Sequence, residues 1–282
     1  MKAKLDRAEF PWGTFHTVCR EGLGAVRPFR DRKCPDPYGW NFGATRPPSY
    51  WAYGRMRALL AEADAVALAP QRVLEVAAGD GALCAVLADR GCAVTANDLR
   101  IDALAQDLAR FRNAADIGLL GGNLFDLDPD RTGGFDLVIA CELLEHVAHT
   151  EDFLRQLRRF LKPGGRALVT TPNGGFFRNK LPTWSQVPDF KALESQQFKP
   201  DADGHLFLIT PDELHGLAAR SGYSVERLYV WGSPFLSGNA KFSVFARPGL
   251  DRLACAGEAA VQWLPGALRS RLCTALAAVL RA

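Results

Sequence analysis

The stretch VLEVAAGDG, residues 73–81, decides the fold of this chain. A hydrophobic strand that carries Glu75 runs into a turn of small residues, and residues 82–90 continue with a helical pattern. The small residues at 77, 79 and 81 allow a tight turn and let a ligand approach the backbone closely. This pattern is typical of a nucleotide-type pocket at the carboxyl end of the first strand of an α/β sheet.

The same turn argues against a dinucleotide. A dinucleotide-binding turn reads G-x-G-x-x-G and places the pyrophosphate at the N-terminus of the helix. In this chain Ala77 occupies the first glycine position, and Leu83 and Cys84 stand where the last glycine is expected. The sequence therefore disfavours NAD.

Outward from this turn, short aliphatic or β-branched runs alternate with helical patterns, which is the signature of βαβ units. We expect residues 66–248 to form one α/β domain with a Rossmann-like, seven-stranded, mostly parallel sheet, an antiparallel edge strand and helices on both faces. The predicted strands are 73–77, 93–97, 117–121, 137–141, 166–171, 224–231 and 241–246. Thr150 is predicted to cap one helix, and a similar helix is predicted to start after Thr210 and Pro211.

Three further segments surround or interrupt this domain. Residues 1–65 are predicted to form an irregular aromatic arm and a helix that cover the substrate, and the aromatic-rich residues 174–209 are predicted to form a lid. Residues 249–282 are predicted to be an amphipathic helical extension that packs on the domain or contacts a membrane surface or a partner. Its apolar residues at helical spacing are Leu268, Leu272, Leu276, Val279 and Leu280.

Composition bounds the class of protein. A chain of 282 residues with 48% hydrophobic residues can bury a full core, and a net charge of +3 argues against a dedicated nucleic-acid binder. The seven cysteines include no CxxC pair, which favours reduced thiols and a cytoplasmic location. No run reaches the roughly 18 apolar residues of a membrane span, and residues 1–12 lack the apolar core of a signal peptide. The oligomeric state is not indicated.

Asp98 follows the second predicted strand, about 20 residues after the glycine turn, where a carboxylate can accept hydrogen bonds from a ribose diol. Taken alone, Asp98 is better explained as a surface or capping acid than as a ligand. The strand and turn at 73–81 favour the ligand interpretation, because both features would then lie at one edge of the sheet.

Four features in this order resemble the class I S-adenosylmethionine-dependent methyltransferases over about residues 50–247. They are the turn at 75–81, Asp98, the strand FDLVIACE at 135–142 and LKPGGR at 161–166. The resemblance implies S-adenosyl-L-methionine as cofactor, with Glu75 organising the glycine loop, Asp98 holding the ribose and residues 123–125 bordering the adenine. The cofactor-binding residues that it implies are Glu75, Ala77, Gly79, Gly81, Asp98, Leu99, Asn123, Leu124, Phe125 and Cys141. The family often has an acid at the position of Asn123, and an amide there contributes less charge.

The stretch ELLEHVAH, residues 142–149, follows the fourth predicted strand and brings Glu142, Glu145 and His146 close together in sequence. A later histidine, His205, lies in the aromatic-rich segment. Two carboxylates and two imidazoles could bind a divalent cation such as Mg²⁺, Mn²⁺ or Zn²⁺, and the nitrogen ligands argue against a pure preference for Mg²⁺.

This arrangement resembles the ubiquinone-pathway O-methyltransferases and the small-RNA 3′-end 2′-O-methyltransferases. Both have a Glu-x-x-Glu-His motif at this point and a later histidine, and a metal site is associated with the motif. In this chain Glu142, Glu145, His146 and His205 match those positions. Three interpretations stay open: a metal site, a metal-free pocket in which His146 or His205 acts as general base beside Glu142, and a purely structural role.

The first hypothesis on function is methyl transfer to a hydroxyl of a small molecule, namely a sugar or a glycosylated or phenolic metabolite. A cation that bridges two neighbouring oxygens would assist this reaction at a vicinal diol. One alternative is 2′-O-methylation at an RNA 3′ end, which the near-neutral charge disfavours. Another is a non-catalytic regulator that binds S-adenosylmethionine, and the acids at 75, 98, 142 and 145 argue against it.

Overall fold

The computed structural model describes residues 2–8, 71–79, 81–109, 111, 113–197, 204–234 and 251–282. Most of the predicted arm at 1–65 and the predicted strand at 241–246 lie outside these residues. The other six predicted strands fall within them, and the structure confirms all six to within a few residues at each end.

Seven strands form one sheet in the part of the chain that the structure describes. They are β1 (Arg72–Val76), β2 (Ala93–Asp98), β3 (Gly118–Gly121), β4 (Phe135–Cys141), β5 (Leu161–Pro172), β6 (Ser224–Trp231) and β7 (Ala275–Arg281). Their spatial order is β3-β2-β1-β4-β5-β7-β6. Strands β1 to β5 pair in parallel, whereas β7 runs antiparallel between β5 and the edge strand β6. The Rossmann-like fold with antiparallel pairing at one end of the sheet is therefore confirmed.

Helices cover both faces of this sheet. They are α1 (Ala82–Asp89), α2 (Ile101–Leu108), α3 (Pro129–Thr132), α4 (Thr150–Arg159), α5 (Pro211–Arg220), α6 (Asp251–Val261) and α7 (Gly266–Leu272). Along β1, Val73 packs into one apolar layer and Leu74 into the other, because strand side chains alternate between faces. The layer under α4 and α5 includes Leu154, Leu157, Leu214 and Leu217, and the layer under α1 and α2 includes Leu83, Leu87, Leu104 and Leu108.

The helix predicted to start after Thr210 and Pro211 is confirmed. The Thr210 hydroxyl accepts a hydrogen bond from the Glu213 amide, and the Glu213 carboxylate accepts one from the Thr210 amide, so the two residues form a capping box. The predicted cap at Thr150 is wrong by one residue. Thr150 is already helical, its hydroxyl donates to the Val147 carbonyl, and His149 is the capping residue.

The prediction of a helix through residues 275–281 is wrong. This segment is the strand β7, and Leu276, Val279 and Leu280 lie in the core between β5 and β6. The run ALAAVL at 275–280 is apolar without interruption, so its sequence carries neither helical nor strand periodicity, and such a run also suits a strand buried on both faces. Only the preceding part of the tail is helical, in α6 and α7.

The predicted lid, residues 174–209, has no long regular element in its described part. It contains short 3₁₀ turns at Trp184–Gln186 and Lys191–Gln196, and residues 198–203 lie outside the description. The Phe190 ring lies between Trp184 and Phe207, at centroid distances of 5.2 and 6.0 Å. The segment therefore has an aromatic cluster of its own, and its role as a lid stays a prediction.

Cys84, Cys92, Cys141 and Cys273 are buried. None of the helices in the described ranges is long and apolar enough to cross a membrane.

Candidate active site

The order of the strands reverses at β1, which lies between β2 and β4. In such sheets the carboxyl ends of the strands on either side of the reversal border a crevice that takes ligands. Val76 pairs with Ala140, so the turn after β1 and the turn after β4 leave the sheet side by side. The glycine turn and the Glu-His stretch, which are far apart in sequence, therefore meet at one edge.

The glycine turn after β1 has an unusual backbone. Ala77, Gly79 and Gly81 all have positive φ, at 54°, 62° and 73°. A positive φ is uncommon for a residue with a side chain, and it lets the chain reverse sharply into α1. A Cβ atom on Gly81 would lie only 2.3 Å from Cδ2 of Leu108, so this position lacks room for a side chain as well.

Asp98, at the end of β2, is joined to that turn. Its Oδ2 accepts a hydrogen bond from the Gly79 amide at 3.1 Å, and its Oδ1 accepts one from the Arg100 amide at 2.9 Å. A carboxylate can accept about four hydrogen bonds, so both oxygens keep capacity for ribose hydroxyls. The structure thus brings together two residues that the sequence predicted for the same cofactor.

Asn97 is a residue that sequence reasoning missed. Its side chain is buried and donates to the carbonyls of Leu120 at 2.7 Å and Gly122 at 3.0 Å, which holds the ends of β2 and β3 together. Because Asp98 is the next residue, this bracing fixes where its carboxylate lies. The signal in the sequence is an amide within the short strand AVTAND.

Glu75 is buried within β1, and its Oε2 accepts a hydrogen bond from Sγ of Cys84 on α1 at 2.8 Å. This contact spans the glycine turn and ties its entry to its exit. It is consistent with the predicted organising role of Glu75, and Cys84 is its partner, which the sequence did not reveal.

The residues predicted to border the adenine are of two kinds. Leu99 and Phe125 expose apolar side chains beside the ends of β2 and β3, where a flat heterocycle could pack. Leu124 instead lies in the core, and Asn123 uses its Oδ1 to accept a hydrogen bond from the Phe125 amide at 3.1 Å. The amide of Asn123 thus shapes the turn, and any contact with adenine stays a prediction.

On the other side of the crevice, Cys141 is the buried last residue of β4, and Glu142 follows it with a φ of 50°. The Glu142 amide donates to the Thr170 carbonyl at 2.8 Å, and the Thr170 hydroxyl donates to Oε1 of Glu142 at 2.8 Å. Neighbouring β5 therefore holds Glu142 in this strained conformation. Non-glycine residues with such backbone strain cluster at functional sites.

Glu145, His146 and His205 form one cluster. Oε1 of Glu145 lies 3.9 Å from Nε2 of His146 and 4.0 Å from Nε2 of His205, and the two imidazole centroids are 5.0 Å apart. Glu145 is fully buried, whereas the two histidines are partly exposed. The predicted group of four is thus reduced to three, because Glu142 bonds to Thr170 and is not part of the cluster.

The backbone fixes the orientation of His146. Its Nδ1 lies 3.0 Å from the Gly204 carbonyl, an acceptor, so the ring proton belongs on Nδ1 and the lone pair on Nε2, facing Glu145 and His205. The Leu206 amide donates to the Glu145 carbonyl at 2.9 Å. These two contacts bring His205 to the turn after β4 despite its distance in sequence.

These residues could hold a divalent cation. A tetrahedral ion that binds nitrogen and oxygen at about 2.1 Å sets them roughly 3.4 Å apart, so the Glu145–histidine distances of 3.9 and 4.0 Å would have to shorten by about half an ångström on binding. A buried carboxylate is stabilised only by hydrogen bonds and a cationic neighbour, which a metal or a protonated histidine can supply. Two imidazoles and one carboxylate suit Mn²⁺ or Zn²⁺ better than Mg²⁺.

His149 lies outside this cluster. Its Nε2 pairs with Oε1 of Glu194 at 2.7 Å on the surface, and the Ala148 amide donates to Oε1 of Gln197 at 2.8 Å. Both contacts join the turn after β4 to the 3₁₀ turn of the predicted lid. The predicted lid segment is therefore attached to the turn that carries the candidate site.

Comparison with known proteins agrees with this geometry. A family model described as "Methyltransferase domain" matches residues 49–228. The chain is 36% identical over 107 residues to a ubiquinone biosynthesis O-methyltransferase of Xanthomonas oryzae pv. oryzae (strain PXO99A), which covers 38% of this chain and 45% of that relative. It is 33% identical over 103 residues to the protein of the same name from Rickettsia prowazekii (strain Madrid E), covering 36% of this chain and 40% of the relative. The chain thus spans less than half the length of the curated relatives that it matches.

Two solved structures share the fold. One is an S-adenosylmethionine-dependent methyltransferase from Mesorhizobium loti, with a TM-score of 0.51, 20% identity, and coverage of 79% of this chain and 96% of that chain. The other is phosphoethanolamine N-methyltransferase 2 of Haemonchus contortus in complex with S-adenosyl-L-methionine, with a TM-score of 0.53, 17% identity, and coverage of 86% and 55%.

Proposed function

Because this chain belongs to the class I S-adenosylmethionine-dependent methyltransferase family, we propose that it transfers a methyl group from that cofactor to a hydroxyl of a small molecule. The observation that carries the proposal is the cluster of Glu145, His146 and His205, which lies at the strand-order reversal beside the glycine turn. It places two imidazoles and a buried carboxylate where an acceptor would meet the cofactor.

The cofactor would lie across the carboxyl ends of β1, β2 and β3. The backbone turn from Ala77 to Gly81 would approach its amino-acid part, Asp98 would accept hydrogen bonds from the ribose diol, and the exposed side chains of Leu99 and Phe125 would pack against the adenine. The turn after β4 would then hold the acceptor. Holding the acceptor in line with this methyl is the main catalytic task, since the displacement is direct.

In the displacement, the acceptor oxygen forms a bond to the methyl carbon while the carbon–sulfur bond breaks and its electron pair returns to sulfur. The hydroxyl proton must leave, because the pKa of a hydroxyl is high. Without a cation, Nε2 of His146 or His205 can accept it, and Glu145 stabilises the imidazolium that results. With a divalent cation held by the same three residues, these nitrogens would be ligands instead, the cation would lower the pKa of the hydroxyl and of a neighbouring one, and the proton would pass to solvent.

The acceptor class follows from this arrangement. A cluster that can contact two neighbouring oxygens suits a vicinal diol or a catechol, as found in sugars and in glycosylated or phenolic metabolites. The names of the relatives, which are O-methyltransferases, support oxygen as the acceptor atom. Nothing in the described residues specifically favours RNA. A cytoplasmic location belongs to the same proposal and is supported by the cysteine pattern, which includes no CxxC pair.

The test is a labelled-methyl assay with diol, catechol and RNA 3′-end acceptors, each with and without a chelator. We expect methylation of the diol or catechol at oxygen, and a loss of activity in Glu145→Ala with His146→Ala. His215→Ala, a histidine on α5 outside the cluster, is the matched control and should retain activity. Turnover only on an amine or thiol would refute O-methylation, and activity that survives chelation would refute the cation. Calorimetry that detects no S-adenosylmethionine binding would remove the proposal as a whole.

A further inference from the structure

Two consecutive threonines end the buried part of β5, and each holds one of the acids of the turn after β4. The Thr170 hydroxyl donates to Oε1 of Glu142 at 2.8 Å, and the Thr171 hydroxyl donates to Oε2 of Glu145 at 2.9 Å. Both threonines are fully buried. Neighbouring residues of a strand point to opposite faces. Of the two acids, the Thr170 hydroxyl therefore contacts only Glu142, and the Thr171 hydroxyl contacts only Glu145.

The Thr171 bond determines how the Glu145 carboxylate is turned. By occupying Oε2, the hydroxyl fixes the rotation of the carboxylate, and Oε1 then faces Nε2 of His146 and Nε2 of His205 at 3.9 and 4.0 Å. A buried carboxylate is strongly stabilised by such a donor, because water is absent. Without the hydroxyl, the carboxylate would be free to rotate and would lose this stabilisation.

We infer that Thr171 is a positioning residue, which acts on the reaction by orienting Glu145 toward the two histidines. The inference rests on the proposed function, because that function gives the cluster its role. Thr170 has the same side chain, burial and strand, but its hydroxyl addresses Glu142, which is outside the cluster. A substitution of Thr170 therefore serves as a control, because it removes a buried hydroxyl from β5 without removing the hydrogen bond that orients Glu145.

The test uses the full chain and four variants, Thr171→Val, Thr171→Ala, Thr171→Ser and Thr170→Val. Calorimetry measures Mn²⁺ affinity, and nitrogen NMR of the side chains of His146 and His205 is recorded without metal at one fixed pH. Removing a residue that orients a metal ligand typically weakens metal affinity by about 10–100-fold. We expect this loss in Thr171→Val and Thr171→Ala, together with shifted histidine resonances.

Thr171→Ser keeps the hydroxyl and should restore both readouts, while Thr170→Val should retain the Mn²⁺ affinity of the wild type. Thr171→Ala and Thr171→Ser differ by a single oxygen atom, so this pair decides the matter even if Thr171→Val fails to fold. S-adenosylmethionine affinity, measured in parallel, should be the same in the wild type and the three Thr171 variants.

The outcomes separate this inference from the proposed function. If the wild type binds no Mn²⁺ but the histidine resonances shift in Thr171→Ala and return in Thr171→Ser, the cation is refuted and the positioning role stands. If Thr171→Ala matches Thr171→Ser in both readouts, or if Thr170→Val weakens Mn²⁺ binding as much as Thr171→Val, the positioning role is overturned.

Discussion

The carboxylate of Asp98 accepts a hydrogen bond from the backbone amide of Gly79 at 3.1 Å, which locks the end of β2 to the glycine turn after β1. This contact joins the two sequence features from which the cofactor site was predicted. Asp98 therefore holds the glycine turn and is also the residue proposed to bind the ribose. Both roles depend on the charge of its carboxylate.

We therefore expect Asp98→Asn to weaken S-adenosylmethionine binding. An amide cannot accept from both backbone amides and the ribose at once, and hydrogen bonds to a charged group are worth about 1.5–3 kcal/mol each, which corresponds to roughly 10–100-fold in the dissociation constant. Isothermal titration calorimetry measures this change. Asp102→Asn, an exposed acid on α2, is the control, and equal affinities in the two variants would contradict the assignment.

The sequence was sufficient to predict most of this architecture because strands β1 to β6 have distinct apolar runs with helical patterns between them. It was insufficient at β7, whose uninterrupted apolar run at 275–280 suits a helix or a strand, and only the gap between β5 and β6 selects the strand. The strand β7 fills this gap although it follows β6 in sequence, and the periodicity of its own residues cannot reveal this pairing.

The candidate site, too, could be predicted from the sequence only in part. The motif at 142–146 and His205 were predicted from residue types and from resemblance, and the structure brings Glu145, His146 and His205 together. It separates Glu142 from them, because the left-handed backbone at Glu142 directs its carboxylate to Thr170. Such a pairing across two strands depends on their register, so the sequence alone could not supply it.

Glu145→Gln should abolish most methyl transfer while leaving cofactor affinity unchanged. The amide has nearly the same shape and can still accept from Thr171, but it carries no charge to stabilise an imidazolium or a cation. Loss of acid–base assistance typically lowers kcat by about 10²–10⁴-fold. Single-turnover rates and calorimetry separate the two effects.

Glu226→Gln, in β6 toward the opposite end of the sheet, serves as control for that substitution, and its rate should equal that of the wild type. A Glu145→Gln protein that turns over at the rate of this control would show that the charge of Glu145 has no part in the reaction.

Gly81→Ala should destabilise the protein more than Gly91→Ala. Both glycines have positive φ, at 73° and 86°, so both substitutions carry the backbone cost of about 1–2 kcal/mol. Only at Gly81 would the new Cβ also meet Leu108, at 2.3 Å, whereas nothing lies within 4 Å at Gly91. Overpacking of this kind typically adds about 1–3 kcal/mol. Denaturant unfolding of both variants measures the difference, and equal losses would contradict the close packing at Gly81.

The pH dependence of stability should carry a contribution from Glu258, a fully buried residue of α6. Burial raises the pKa of its carboxyl above the ordinary value, although its hydrogen bonds with Ser233, Gln262 and the Gly232 amide act in the opposite direction. The folded state therefore holds the Glu258 proton more tightly than the unfolded chain does. The resulting stabilisation is fully present below the unfolded pKa of 4.5 and is lost as the pH rises from there through the raised folded value.

Glu258→Gln removes this ionisation, so we expect its free energy of unfolding to fall less steeply with rising pH above 4.5 than that of the wild type. One titrating group contributes at most about 1.4 kcal/mol per pH unit, which sets the size of the difference in slope. Denaturant unfolding at a series of pH values measures both curves, with Glu226→Gln as the control for a glutamate in an ion pair near the surface. Because glutamine cannot accept from both the Gly232 and Ser233 amides, the variant is expected to be less stable at every pH, and the comparison rests on slope alone. Parallel curves for wild type and Glu258→Gln would show that Glu258 ionises equally well in the folded and unfolded states.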